Sequence, residues 1–213
     1  SDLVDNYGLL AIKSEFEAEG STLDELTALS DLCNDASSKL TIKVGGPTAQ
    51  RDFYESCEIG ASTILVPMIE SIAGLRSATN IFSNCSRMLL DIEQTPKLAI
   101  NIESVKAVEN AKDLALYMTS SNSPVKTIVI GRSDLSSSFN IQSVEHPKVT
   151  SVVTSLLNCF IPLGYNVTIG GSITSSSFES LNIFTDHGMS AFETRKCTLP
   201  AHHLHSREKF NRA

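Results

Sequence analysis

Ile100-Asn101-Ile102-Glu103-Ser104 and, further along, Ile128-Val129-Ile130-Gly131-Arg132-Ser133-Asp134-Leu135 each read as a buried, β-branched strand that runs directly into an acidic residue. Near-continuous apolar strands belong to parallel sheets covered on both faces. When such a sheet closes into a barrel, side chains at the carboxyl ends of the strands converge over its mouth. Glu103 and Asp134 would then meet there as oxygen ligands of the kind Mg²⁺ or Mn²⁺ takes, leaving positions for water and substrate.

Working outward, the same kind of run recurs along the chain. Leu9 to Glu17, Leu40 to Gly45, Thr63 to Glu70, Leu98 to Glu103, Thr127 to Asp134, Tyr165 to Ile173 and Met189 to Arg195 are apolar and β-rich, and helical stretches separate them. Repeated strand–helix units predict an α/β fold with a parallel sheet. The expectation is one domain over 1–213, a (β/α)8 TIM barrel with seven recognisable strands; the missing one would lie before Leu9, and the barrel is either incomplete or closed by a neighbouring segment. Ser21-Thr22-Leu23-Asp24 has the form of a capping box ahead of a helix whose buried stripe is Leu26, Leu29 and Cys33. Helices are also read over Ala49 to Glu58, Ser104 to Met118 and Val149 to Phe160, and the serine-rich stretches 120–123 and 172–177 read as loops.

Period-two alternation assigns the faces of the strands. Leu10, Ile12 and Phe16 share one side of the first run, and Lys13, Glu15 and Glu17 the other. In the second, Leu40, Ile42 and Val44 oppose Thr41, Lys43 and Gly45, and in the fourth Asn101 and Glu103 point inward. A barrel interior lined with ionised groups is costly unless they are paired, solvated at the mouth or bound to a metal.

Composition excludes several function classes. The 41% hydrophobic and 19% charged content is that of a soluble globular domain. A net charge of -7 with scattered Lys and Arg gives no footprint for nucleic acid or an anionic membrane, so a small-molecule partner is expected. Five cysteines without a CxxC pair argue for reduced thiols. No signal peptide and no apolar run of about 20 residues is visible, which points to the cytoplasm.

Val66-Pro67-Met68-Ile69-Glu70, Asn101-Ile102-Glu103-Ser104 and Gly131-Arg132-Ser133-Asp134-Leu135 resemble successive strand ends of the HpcH/HpaI aldolase and citrate lyase β-subunit family, within the phosphoenolpyruvate/pyruvate-binding TIM-barrels. The resemblance is closest to a less-studied branch that shares Ile12 to Gly20, Lys43-Val44-Gly45-Gly46 and Phe192-Glu193-Thr194-Arg195-Lys196. It implies that Glu103 and Asp134 bind the metal and that backbone amides around Ser133 and Asp134 hold the carboxylate of a 2-oxo acid. Two departures matter. The family's proton-transfer histidine at the end of the first of these strands is replaced by Ala18, and a substrate-facing arginine by Lys43, which keeps the charge without the planar fork.

The resulting expectation is a metal-dependent carbon–carbon lyase or aldolase acting on a pyruvate-like 2-oxo acid through a metal-stabilised enolate. Lys43, Arg132, Glu17 and Glu70 are the candidate catalytic residues, and Gly131, Ser133, Lys13 and Glu15 the substrate-binding ones. The bland readings stay open beside these. Glu103 and Asp134 could cap loops or helices, the Lys13, Glu15, Glu17 and Lys43 charges could neutralise one another, Arg132 could pair with Glu70, and Glu193 with Arg195. His187 precedes the last strand and sits on the structural rim. His202, His203 and His205 follow it, and either approach the mouth or form a solvated cluster. Two other functions also remain: an aldolase forming a Schiff base through Lys43 or Lys13, and a catalytically silent relative that binds a metabolite or serves in assembly. The tail from Ala201 to Ala213 suggests a homo-oligomer, with its apolar residues seated on another subunit.

Overall fold

The computed structural model describes residues 2–89, 95–205, 207 and 210. A short helix, α1 (Asp2–Tyr7), leads into β1 (Ala11–Glu15), and the pattern then repeats: α2 (Leu23–Asp35), β2 (Lys39–Lys43), α3 (Gln50–Glu58), β3 (Thr63–Val66), α4 (Ile72–Met88), β4 (Lys97–Ile102). It continues with α5 (Val105–Glu109), α6 (Ala111–Ser120), β5 (Val125–Gly131), α7 (Arg132–Ser138), α8 (Pro147–Phe160), β6 (Asn166–Gly170), α9 (Phe178–Asp186), β7 (Ala191–Glu193) and β8 (Cys197–Pro200). The strands form one closed barrel in sequence order.

The seven expected strands are parallel neighbours. The eighth does not precede Leu9. Helix α1 precedes β1, and β8 follows β7 after a tight turn, pairing antiparallel with both β7 and β1. Four residues, the last a proline, give too short a run for any periodicity to show. Because β8 descends, the chain after Pro200 lies on the amino-terminal rim, where Ala201 N donates to Ser190 O at 3.1 Å. The backbone of the 3₁₀ turn Ala201–His205 therefore lies at the rim opposite the mouth. Leu204 and Phe210 are buried on this chain's own core, with Phe210 against Phe178 and Phe192. Residues 206, 208, 209 and 211–213 of that tail lie outside the described residues.

Outward-facing Ile64, Ile100, Ile128, Val167 and Ile169 pack against helix residues such as Leu75, Leu114, Leu156 and Phe184 to make the main core. This is the strand–helix layer in which burial of branched side chains supplies most of the stabilisation. The capping box on α2 is Thr22 with Glu25, one position beyond the expected Ser21 frame. Leu10, expected against the helices, is exposed ahead of β1. The helix read over Ser104 to Met118 breaks at Asn110, which ends α5, begins α6 and donates its side-chain amide to Glu70 O at 2.8 Å. Among the described residues no helix is long and apolar enough to cross a membrane.

Candidate active site

Glu103 follows β4 and points into the barrel, 3% exposed. Its carboxylate is held at both oxygens. Met68 N donates to Oε1 at 3.0 Å and Asn101 Nδ2 to Oε2 at 2.7 Å. Met68 adopts φ 53°, a left-handed conformation that a non-glycine residue takes only under constraint. Here it turns the amide toward Glu103. On the other side Gly131 leaves the space the carboxylate occupies: a Cβ there would stand 2.8 Å from Glu103 Oε2 and 3.1 Å from its Cβ.

Burial raises the Glu103 carboxyl above its ordinary range, and the charge of Asp134 pushes the same way, while Lys43, the Met68 amide and Asn101 oppose them. Two carboxylates close enough to repel, one of them desolvated, form a site short of positive charge. Asn101 Oδ1 is also buried without a hydrogen-bond partner. These are hard oxygen donors, and they fit Mg²⁺ or Mn²⁺. Among the described residues no group of three or more His, Cys, Asp or Glu side chains is placed to hold a metal.

Lys43, at the end of β2, supplies the neighbouring cation. Its Nζ lies 3.2 Å from Glu17 Oε2 and 3.8 Å from Glu15 Oε2. Burial alone would lower its pKa, but Glu103, Glu17 and Glu15 outweigh that and hold it above the ordinary lysine value. Lys13 is drawn into a different pair, 2.6 Å from Glu193 Oε1. Glu193 leans over Gly170, where a Cβ would stand 2.9 Å from its Cγ, repeating the arrangement of Glu103 over Gly131. The sequence reading coupled Glu193 to Arg195. Arg195 and Lys196 instead share Glu19, at 3.5 and 2.5 Å.

Arg132 departs furthest from expectation. It is fully buried and turned into the protein rather than toward the mouth, 3.1 Å from Glu145 Oε1, and it donates to Ser180 Oγ, Ser177 Oγ and the carbonyl of Gly171. Glu70, its expected partner, accepts from Ser104 Oγ at 2.5 Å. The bridge from Arg132 to Gly171 fixes the turn after β5 against the loop after β6. Gly171 lies in the left-handed region at φ 89°, with the space for a Cβ taken by the amides of Arg132 and Ser133. Ser133 Oγ also bonds Ser172 Oγ at 2.8 Å. The hydroxyls of Thr22, Ser71 and Ser104 cap α2, α4 and α5, whereas α7 follows Gly131, which has no side chain to cap it. The first turn of α7 thus has amides with no capping side chain, as an anion cradle requires.

The model of the HpcH/HpaI aldolase/citrate lyase family matches residues 21–166. Among solved structures, the HpcH/HpaI aldolase from Desulfitobacterium hafniense DCB-2 superposes with a TM-score of 0.72 at 17% identity, over 91% of this chain and 80% of that one. Citrate synthase SbnG gives 0.69 at 18%, over 90% and 78%. The Haloferax volcanii malate synthase magnesium/glyoxylate complex gives 0.70 at 12%, over 94% of this chain and 64% of that one. At such identities the likeness to these structures is one of fold. A search of curated proteins finds no match.

Proposed function

We propose that this chain, which belongs to the HpcH/HpaI aldolase/citrate lyase family, is a divalent-metal-dependent carbon–carbon lyase or aldolase acting on a pyruvate-like 2-oxo acid. The observation that carries the reading is the buried, amide-held Glu103 carboxylate with Asp134 beside it and Lys43 in electrostatic reach. Glu103 and Asp134 would hold Mg²⁺ or Mn²⁺. When bound, such a cation supplies Lewis-acid stabilisation of the negative charge that develops on a keto oxygen. The malate synthase neighbour, seen with magnesium and glyoxylate, a 2-oxo acid, supports that pairing of metal and substrate class.

This chain's own residues do the rest. The amides around Ser133 orient the substrate carboxylate, and the Arg132 bridge keeps that turn in place from beneath. Lys43, held as an ammonium, lowers the cost of negative charge on the substrate side of the mouth. Glu17 is half exposed, paired with Lys43 at 3.2 Å, and is the carboxylate assigned to move a proton at the mouth, since Glu70 is engaged by the cap of α5. Glu103 first, and then Glu17 and Glu15, outweigh burial and hold the Lys43 pKa above its ordinary value. That shift favours the metal route over a Schiff base, which requires a neutral amine.

The test is exchange of pyruvate methyl protons in D₂O, followed by NMR. With Mg²⁺ or Mn²⁺ the signal should disappear, and chelator or Asp134→Ala should stop the loss. Exchange that survives chelation but is lost in Lys43→Met, with borohydride trapping of the wild type, would replace this reading by the Schiff-base one. If no 2-oxo acid of a panel exchanges or binds, the chain is a silent relative.

A further inference from the structure

A TIM barrel is ordinarily filled by stacked layers of bulky side chains. In the lower half of this one the inward positions carry Ala11, Thr41, Thr63, Ala99, Thr127 and Thr168, aligned by the strand register. The result is a cavity of about 980 Å³ reached from the amino-terminal rim. Its ceiling is formed by Leu65, Ala99 and Val129, which cluster apart from the main core, together with Glu193 in its bond to Lys13. Neither Glu103 nor Asp134 lines it. The space is therefore separate from the mouth.

Its chemistry is specific. Among the described residues, the hydroxyls of Thr41, Thr63, Thr127, Thr168 and Thr198 have no hydrogen-bond partner from the protein, although all five residues line the cavity. At the rim, Lys39 begins β2 and Lys97 begins β4, flanking Thr63 of β3, and both are exposed with no ion pair among the described residues. Among the described residues, Glu58 is the opposing charge at that rim. With Glu193 already paired to Lys13, two lysines stand against one carboxylate among the described residues of that rim, above a shell of hydroxyls, in a chain of net charge -7. The volume lies in the range of small-molecule sites, about 300–1,000 Å³.

We infer that the lower barrel is a second small-molecule site, taking a polyhydroxylated phosphate ester with its phosphate on Lys39 and Lys97 and its hydroxyls on the threonine shell. The two lysines provide charge-assisted hydrogen bonds to the anion. The threonines, each both donor and acceptor, match hydroxyl groups without demanding a charge.

Titration of protein labelled at threonine methyls, with glycerol 3-phosphate as probe, tests this by NMR. Saturable shifts should appear at Thr63, Thr127 and Thr168 and spare Thr194, which lies in the turn at the opposite rim. Lys39→Gln/Lys97→Gln changes only exposed side chains and should weaken binding about tenfold or more. Thr127→Val/Thr168→Val should weaken glycerol 3-phosphate binding but leave the weaker binding of inorganic phosphate unchanged. Shifts confined to Thr194, affinity indifferent to both double variants, or no saturable shift at all would overturn the proposal. Because the readout is binding at the lower rim, it stands or falls independently of catalysis at the mouth.

Discussion

Gly131→Ala isolates the packing that presents Glu103. Gly131 has φ -85° and ψ 91°, which alanine adopts freely, so backbone strain contributes nothing and the effect is steric. The new methyl would lie 2.8 Å from Glu103 Oε2 and 3.1 Å from Glu103 Cβ. Ordinary contact begins near 3.4 Å, so the oxygen must retreat by about 0.6 Å and the Cβ by about 0.3 Å. The oxygen can move only by stretching its 2.7 Å bond from Asn101 Nδ2, and the Cβ only by parting β4 from β5. Overpacking of this kind costs about 1–3 kcal/mol, or a fall in Tm of about 2–12 °C at roughly 2–4 °C per kcal/mol for a chain of this size. Displacing the carboxylate proposed to hold the metal should also cost about 10–100-fold in affinity. Gly170→Ala is the matched control: its methyl would meet Glu193 Cγ at 2.9 Å and Oε1 at 3.0 Å, with similar crowding and no contact with Glu103. Titration calorimetry with Mn²⁺, beside calorimetric melting of the apo protein, should show both variants destabilised and only Gly131→Ala impaired in binding. Equal Mn²⁺ affinity in Gly131→Ala and wild type would refute the reasoning.

Arg132→Met removes the buried cation from Glu145 and should cost about 3–5 kcal/mol in urea unfolding, part of it recovered in Arg132→Met/Glu145→Gln; a loss below about 1 kcal/mol would deny Arg132 its scaffold role. Burial raises the Glu145 carboxyl, but Ser180, Ser177 and Arg132 outweigh it and hold it below its ordinary value of 4.5. Its stabilising contribution is therefore present above that value and lost as pH falls through the lower folded-state value. Urea midpoints across roughly pH 6 to pH 3 should fall less steeply in Glu145→Gln than in wild type. Lys43→Met should lower kcat/KM for the 2-oxo acid by about 10²-fold or more, and Lys43→Arg should restore part of it by returning the charge; equal activity in Lys43→Met and wild type would remove Lys43 from the reaction.

The parallel strands were legible because each is an apolar run whose alternation also gives the facing of Lys43, Asn101 and Glu103. The antiparallel β8 was not, since Cys197-Thr198-Leu199-Pro200 is too short to show a period and follows a charged turn rather than a helix. The carboxylates could be placed from strand ends alone, but their partners could not. Lys13 and Glu193 are 180 positions apart, and only barrel closure brings them together. Arg132 was misplaced for a related reason. A residue between a strand glycine and a helix can point up into the mouth or back under the loop, and the choice depends on Gly171 and Glu145, which local pattern does not reveal. The signal that could have found Glu193 was present: alternation through Ala191, Phe192 and Glu193 sets it inward, just as it does Glu103.

The hairpin from β7 into β8 has an electrostatic consequence for the mouth. Strands β1 to β6 each lead on to a helix, and a helix amino terminus carries roughly half an elementary positive charge from its aligned peptide dipoles. That charge belongs to the backbone and no side-chain substitution removes it. After β7 there is no helix, and the same sector carries Arg195 and Lys196 against the single carboxylate of Glu19. One arc of the rim thus draws its positive potential from two half-exposed or exposed side chains, open to screening by salt and to change by substitution, while the rest of the ring keeps a potential built into its main chain.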